Sequence, residues 1–193
     1  MIVIGLTGGM GMGKSTAAAE LRRRHIPVFD ADQAVHDLQA VRGAALPALA
    51  AAFPGTVANG TLDRARLRQA LVDRAALARL EAIMHPLVRR AERRFLARAY
   101  AGRRRMVVLD VPLLIETGGD RRVSHVMVVS APASVQRTRV RRRRRMTEAQ
   151  IDAVLARQLP DAARRRRAGT VIHTGLSRFH AVAQIRRTLA RLS

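Results

Sequence analysis

The amino-acid sequence predicts an α/β fold, a doubly wound parallel five-stranded sheet carrying a helical insertion, and three observations support that expectation. Short apolar runs alternate with segments of helical spacing along much of the chain. The first run, Ile2 to Leu6, enters a glycine-rich loop that opens into a helix. A later run, Met106-Val107-Val108-Leu109-Asp110, is continuously apolar up to a carboxylate, the profile of a parallel strand buried on both faces.

Each element follows from local signals. The helix after the loop is predicted from about Ser15 to Arg24, and His25-Ile26-Pro27 reads as a turn. Val28-Phe29 gives a second short strand ending at Asp30-Ala31-Asp32. From about Gln33 to Ala101 the spacing is mostly helical, with breaks expected at Gly43, Pro47, Phe53-Pro54-Gly55 and Asn59-Gly60, so this stretch reads as the insertion. Within it Leu67, Leu71, Leu77, Leu80, Ile83 and Met84 recur at three- and four-residue steps, an apolar face whose default meaning is core packing. Met106 to Asp110 is the third strand and Val123 to Ala131 the fourth, with Pro132 opening the next helix. Gly169 to His173 is the fifth, ahead of a terminal helix around Arg178 to Leu192. Val135 to Arg167 is rich in arginine, with five in a row from Arg141 and four from Arg164.

A chain of 193 residues is the size of one domain, divided here into a core of about 1–33, 102–137 and 166–193, the insertion at 34–101, and an arginine-rich segment at 138–165. Hydrophobic residues make up 48% and aromatics only 3%, so the core must be built from Ala, Val, Leu and Ile. The absence of cysteine removes disulfides, thiolate metal sites and cysteine nucleophiles together. No export signal precedes the first strand and no apolar stretch approaches the ~20 residues of a membrane span, so a cytoplasmic protein without a membrane partner is expected. The net charge of +22 favours polyanionic partners without choosing among them.

Of 36 basic residues, 35 are arginine, and the one lysine closes the pattern Gly8-Gly9-Met10-Gly11-Met12-Gly13-Lys14-Ser15. A phosphate-binding loop needs a compact ammonium at that position to reach β- and γ-phosphate oxygens. Its glycines let backbone N–H groups turn toward phosphate, the helix N-terminus adds partial positive charge, and Ser15 Oγ suits Mg²⁺. The setting is that of P-loop NTPases. The lysine count also disfavours a guanine-nucleotide switch, whose base-reading motif requires a second lysine.

Asp30 and Asp32 fall at the carboxyl end of the second strand, the edge where α/β sheets bind ligands. Asp32 there serves either as proton acceptor from an attacking hydroxyl, with Asp30 positioning metal or substrate, or as a cap on the following helix. Asp110, at the end of the third strand, either holds Mg²⁺ as the partner of Ser15 or caps the next segment. Glu116 is a weaker candidate by itself. The arginine-rich segment admits three readings: a lid over transferring phosphates, a nucleic-acid patch, or a solvated helix face. Gln136 to Ala168 contains no aromatic for base stacking, so nucleic-acid contact there would be phosphate-driven.

The chain resembles the bacterial dephospho-CoA kinases over nearly its whole length. The resemblance rests on Gly5-Leu6-Thr7-Gly8-Gly9 through Lys14-Ser15-Thr16, Pro27-Val28-Phe29-Asp30-Ala31-Asp32, Leu62-Asp63-Arg64 with Leu67, and Leu80-Glu81 with His85-Pro86. It continues through Asp110-Val111-Pro112-Leu113-Leu114-Ile115-Glu116, Gln136 with Arg139 and Arg143, Gln158, and Val171-Ile172 before Gly175. It implies a P-loop kinase core, a helical substrate domain and a helical lid, and transfer of the ATP γ-phosphoryl group to the ribose 3′-hydroxyl of dephospho-CoA, with Mg²⁺. By the same resemblance Asp32 is the base. Gly9, Met10, Gly11, Met12, Gly13, Lys14, Ser15 and Thr16, with Arg143, hold ATP. Arg139 neutralises charge during transfer. Asp30, Asp32, His85, Leu113 and Glu116 lie on the substrate side, and Ser15 and Asp110 serve the metal. No obligate nucleic-acid partner is implied and a monomer is favoured. The chain departs from the family pattern at Thr174, where asparagine is usual, and at Gly169, Val154 and Arg144-Arg145. A shikimate-type kinase and a nucleic-acid-binding NTPase are the alternatives.

Overall fold

A computed structural model of the chain describes residues 1–144, 147–156 and 158–193, without the side chains of Arg143, Arg144, Glu148, Ala153, Val154 and Ala156. The expectations for Arg143, Arg144-Arg145 and Val154 therefore lie outside the described residues. In chain order the elements are β1 (Ile2–Thr7), α1 (Lys14–Arg23), β2 (Val28–Asp30), α2 (Ala31–Leu38), α3 (Leu46–Ala52), β3 (Val57–Ala58), β4 (Thr61–Leu62), α4 (Arg64–Ala70) and α5 (Arg74–Ala101). There follow β5 (Met106–Asp110), a 3-10 turn (Gly119–Arg122), β6 (His125–Ser130), α6 (Ala133–Arg144), α7 (Glu148–Ala156), α8 (Asp161–Arg166), β7 (Thr170–His173) and α9 (Arg178–Leu192). The chain divides into two compact units, residues 1–29 with 99–193, and residues 30–98.

The first unit carries the sheet, in the order β2-β5-β1-β6-β7. β1 pairs in parallel with β5, Leu6 opposite Asp110, and with β6, Thr7 opposite Val128. β6 pairs in parallel with β7, Ser130 opposite His173. Parallel pairing brings the carboxyl ends of these strands to one edge, so the loop after β1, Asp110 and the segment after β7 share it. Alternate side chains of each strand then face opposite layers. Ile4, Leu6, Val108, Met127, Val129 and Ile172 pack against Ala17, Ala18 and Leu21 of α1 and Ala181, Ile185 and Leu189 of α9. On the other side Val126 and Val128 meet Leu114 and Ile115. A sheet covered on both faces has to be apolar throughout, which is why β5 and β6 read as unbroken hydrophobic runs.

The second unit is helical around a separate core of Ala45, Leu46, Leu49, Phe53, Leu62, Leu67, Ala76 and Met84. Two of the expected breaks are structured. Asn59 and Gly60, at φ 51 and 72, form the turn of the β3-β4 hairpin, since both central residues of such a turn need positive φ. Pro47 lies in the first turn of α3, where its missing N–H costs nothing. Asp63 caps α4 by accepting from Ala65 N and Arg66 N at 2.9 and 3.0 Å. Leu77 departs from the expected apolar face and is 45% exposed. The inward position in the first turn of α5 belongs to its neighbour Ala76, while Leu71, Leu80 and Ile83 pack on the core as expected. No described helix is long and apolar enough to cross a membrane.

Candidate active site

The phosphate loop runs from the end of β1 to the start of α1, and its glycines answer to two separate constraints. Gly8 passes close under β6: a Cβ there would stand 2.7 Å from the Val129 carbonyl oxygen. Gly13, the residue before α1, takes φ 95, a left-handed conformation that other residues adopt only under strain. Thr16 N and Ala17 N then donate to Gly13 O at 3.0 and 3.2 Å, and α1 begins at Lys14 with its positive dipole end toward the loop. Lys14 Nζ reaches Asp110 Oδ1 at 2.7 Å, and that carboxylate is 4% exposed. Lysine and aspartate stand together because Leu6 and Asp110 are paired across the β1-β5 ladder. Ser15, next along α1, is exposed.

Two groups of side chains hold the loop. At its helix end, Thr174 is buried just past β7, and its N–H donates to Ser130 O at 2.8 Å. Its Oγ1 donates to Met12 O at 2.6 Å and accepts from Arg139 Nη1 at 3.0 Å. Arg139 Nη2 donates to Thr174 O at 2.6 Å, so both halves of the guanidinium are committed to this residue. Ala131 N donates to Met12 Sδ at 3.1 Å. At the strand end of the loop, two carboxamides clamp the Met10 residue. Gln136 Nε2 donates to Met10 O at 2.7 Å, while Met10 N donates to Gln158 Oε1 at 3.2 Å. Beside them Arg164 donates from Nε and Nη2 to Glu116 Oε1, at 3.2 and 2.8 Å.

A cavity of ≈ 210 Å³ opens behind the loop, lined by Gly11, Gly13, Thr16, Arg139, Thr174 and Arg178 among others. Its walls come from α1, α6 and the start of α9, with the loop and Thr174 at its mouth. Its polar fork and apolar alanine wall suit a flat, polar-edged group attached to the phosphates.

The structure thus brings Gly9 to Thr16, Asp110, Glu116 and Arg139 together in the first unit. Leu113 there is exposed, two residues past Val111, whose N–H returns to Leu6 O at 3.0 Å. Asp30, Asp32 and His85 belong to the unit of residues 30–98. There the helix cap is Asp30, whose Oδ1 accepts from Gln33 N at 3.1 Å, so the capping alternative for Asp32 falls away. Asp32 is in the first turn of α2 and exposed, and His85 is exposed on α5. Asp110 pairs with the lysine. Sequence reasoning missed the holding role of Thr174 and the burial of Arg164 against Glu116. Thr174 stood out only as a departure from a pattern, and Arg164 was one arginine in a run of four.

The family model for dephospho-CoA kinase matches residues 2–177. A dephospho-CoA kinase of Gluconobacter oxydans (strain 621H) is 54% identical over 197 residues, spanning 100% of this chain and 98% of that protein. A solved structure from Thermus thermophilus superposes with a TM-score of 0.85 at 34% identity, covering 100% of this chain and 98% of the other. A dephospho-CoA kinase from Campylobacter jejuni, at 17% identity and TM-score 0.67 over 99% and 97% of the two chains, shares the fold. A match of this extent and identity means that the chain belongs to the dephospho-CoA kinase family.

Proposed function

We propose that the chain transfers the γ-phosphoryl group of ATP to the ribose 3′-hydroxyl of dephospho-CoA, giving coenzyme A and ADP, the last step of coenzyme A biosynthesis. The observation that carries the reading is the Lys14–Asp110 pair at the mouth of the phosphate loop, in a chain of this family. In the transfer the bond from the γ-phosphorus to the bridging oxygen of ADP breaks and a bond to the 3′-oxygen forms. The hydroxyl proton passes to Asp32. Lys14 and the loop N–H groups take up negative charge that builds on the phosphate oxygens, where pre-placed donors contribute most. Arg139 adds to that neutralisation.

Ser15 Oγ and Asp110 would hold Mg²⁺, which would supply positive charge to the phosphates as a Lewis acid. Among the described residues no group of three or more His, Asp or Glu is placed to cage an ion. A hydroxyl and a carboxylate oxygen are the hard donors that suit a metal completed by phosphates. His85, Leu113 and Glu116 fall on the acceptor side in this reading, and the segment 138–165 acts as a lid. The same reading sets the protein in the cytoplasm as a monomer, without a membrane or obligate nucleic-acid partner.

Turnover tests it directly. Purified protein with ATP, Mg²⁺ and dephospho-CoA should release ADP and 3′-phosphorylated product in equal amounts. Phosphorylation of shikimate or another small hydroxyl compound, with dephospho-CoA untouched, would overturn the assignment.

A further inference from the structure

Four consecutive arginines end the segment before β7, and the structure treats one of them differently. Arg165, Arg166 and Arg167 are exposed, whereas Arg164 is 2% exposed. Burying a guanidinium is costly unless its charge and its donors are matched. Glu116 matches the charge but takes only Nε and Nη2, both on a single oxygen. Nη1 has no hydrogen-bond acceptor among the described residues. It is directed at the phosphate loop instead: a Cβ built on Gly9 would stand 3.0 Å from Nη1, closer than from Gln158 Oε1 at 3.1 Å or Gln136 Nε2 at 3.3 Å. A glycine keeps the backbone open at the point where the guanidinium edge arrives. Two donors thus remain available at the strand end of a loop whose chemistry is the binding of phosphate oxygens.

We propose that Arg164 is a phosphate-contacting residue whose Nη1 edge meets the terminal phosphate of the bound nucleotide beside Gly9-Met10, and that Glu116 is the positioning residue that aims it. The proposal deepens the kinase reading and rests on it. It also gives Glu116 a different task from substrate binding, because its Oε1 is already committed to Arg164. As the bond to ADP loosens, negative charge is redistributed over the equatorial γ-oxygens and the departing ADP oxygen. A guanidinium fixed by a carboxylate on one side and facing phosphate on the other meets that charge without reorganising.

The test compares ATP with ADP. Binding of ADP and of a non-hydrolysable ATP analogue is measured by calorimetry in Mg²⁺ buffer for the wild type, Arg164→Lys, Glu116→Gln and Arg166→Gln. The expectation is that Arg164→Lys weakens the triphosphate by about tenfold or more while ADP changes little, as loss of a charge-assisted contact to the terminal phosphate requires. Glu116→Gln leaves the guanidinium in place but poorly aimed. It should lower kcat with dephospho-CoA by about tenfold while leaving KM for dephospho-CoA unchanged. Arg166→Gln, at an exposed site, should match the wild type. Equal weakening of ATP and ADP by Arg164→Lys would overturn the proposal in favour of a purely structural strut. A raised KM for dephospho-CoA with unchanged kcat in Glu116→Gln would overturn it in favour of substrate binding. Should Arg164→Lys fail to fold, Glu116→Gln decides by its kcat-against-KM split. The nucleotide comparison needs no acceptor, so wild-type inactivity on dephospho-CoA would refute the function without touching this result.

Discussion

The two ends of the phosphate loop are held by different means. The end that enters α1 is fixed by a short, buried side chain: Thr174 joins Met12 O to Arg139 and is itself tied by its backbone to Ser130 at the end of β6. The end that leaves β1 is fixed by long side chains, Gln136 and Gln158 on the Met10 peptide groups, with Arg164 lying beside Gly9. A threonine one residue past a strand has little freedom to lose, whereas glutamine and arginine surrender up to about 2 kcal/mol of rotamer entropy each when held. The contrast teaches that the helix end belongs to the sheet and inherits its rigidity. The strand end is held instead by side chains of α6 and of the segment before α8.

That contrast can be broken most severely at the residue that joins the loop to the sheet edge. Lys14→Arg keeps the charge opposite Asp110 but replaces a point ammonium by a broad planar fork. kcat should fall by at least about 10²-fold, with the melting temperature nearly unchanged. Near-normal turnover would make the lone lysine an accident of composition. Next in size is Thr174→Val, which deprives buried Met12 O of its donor and Arg139 of an acceptor. Chemical denaturation should show a loss of about 1–3 kcal/mol, the range for leaving buried polar groups unpaired. If stability held, the helix end would not owe its rigidity to this hydroxyl.

Gln158→Ala sharpens the comparison from the other side. Met10 N–H at the half-buried strand end turns to water, so the stability change should stay below about 1 kcal/mol while KM for ATP shifts. A stability loss as large as that of Thr174→Val would erase the distinction between the two ends. The smallest effect is expected at the far end of β6. His125 Nε2 shares a hydrogen bond with Thr170 Oγ1 at 2.9 Å. Its pKa lies below 6.5 because partial burial, and then the nearby Arg191, disfavour the imidazolium. As pH falls below 6.5 the unfolded chain binds the proton first, so stability present above that value is lost through the lower folded pKa. Melting curves between pH 7 and 5 should flatten in His125→Gln, and an unchanged slope would remove His125 from the acid response.

The parallel sheet was legible because its strands are buried on both faces and so carry uninterrupted apolar runs; Met106 to Asp110 shows this most directly. The loop was legible because close backbone approach and left-handed φ leave glycine as the residue of choice at Gly8 and Gly13. The β3-β4 hairpin was read only as a break, since two-residue strands carry too little alternation to register. Leu77 misled because three- and four-residue spacing admits two faces of one helix, and the small Ala76 rather than the larger leucine turns inward. Arg164 was not legible at all. In a chain with 35 arginines, a buried one looks like its neighbours until the fold sets Glu116 against it.

The ion pair between Lys14 and Asp110 means that the nucleotide site is self-neutralised at rest. Its cation already has an anion at 2.7 Å, on a protein whose other surfaces carry a large positive excess. Arrival of a nucleotide is therefore an exchange of counterions. A lone inorganic phosphate, with few contacts beyond the lysine, competes poorly against a carboxylate fixed in place. A polyphosphate chain that also engages the loop N–H groups displaces it. Asp110 thus sets a threshold that any anion reaching the lysine has to exceed through contacts of its own.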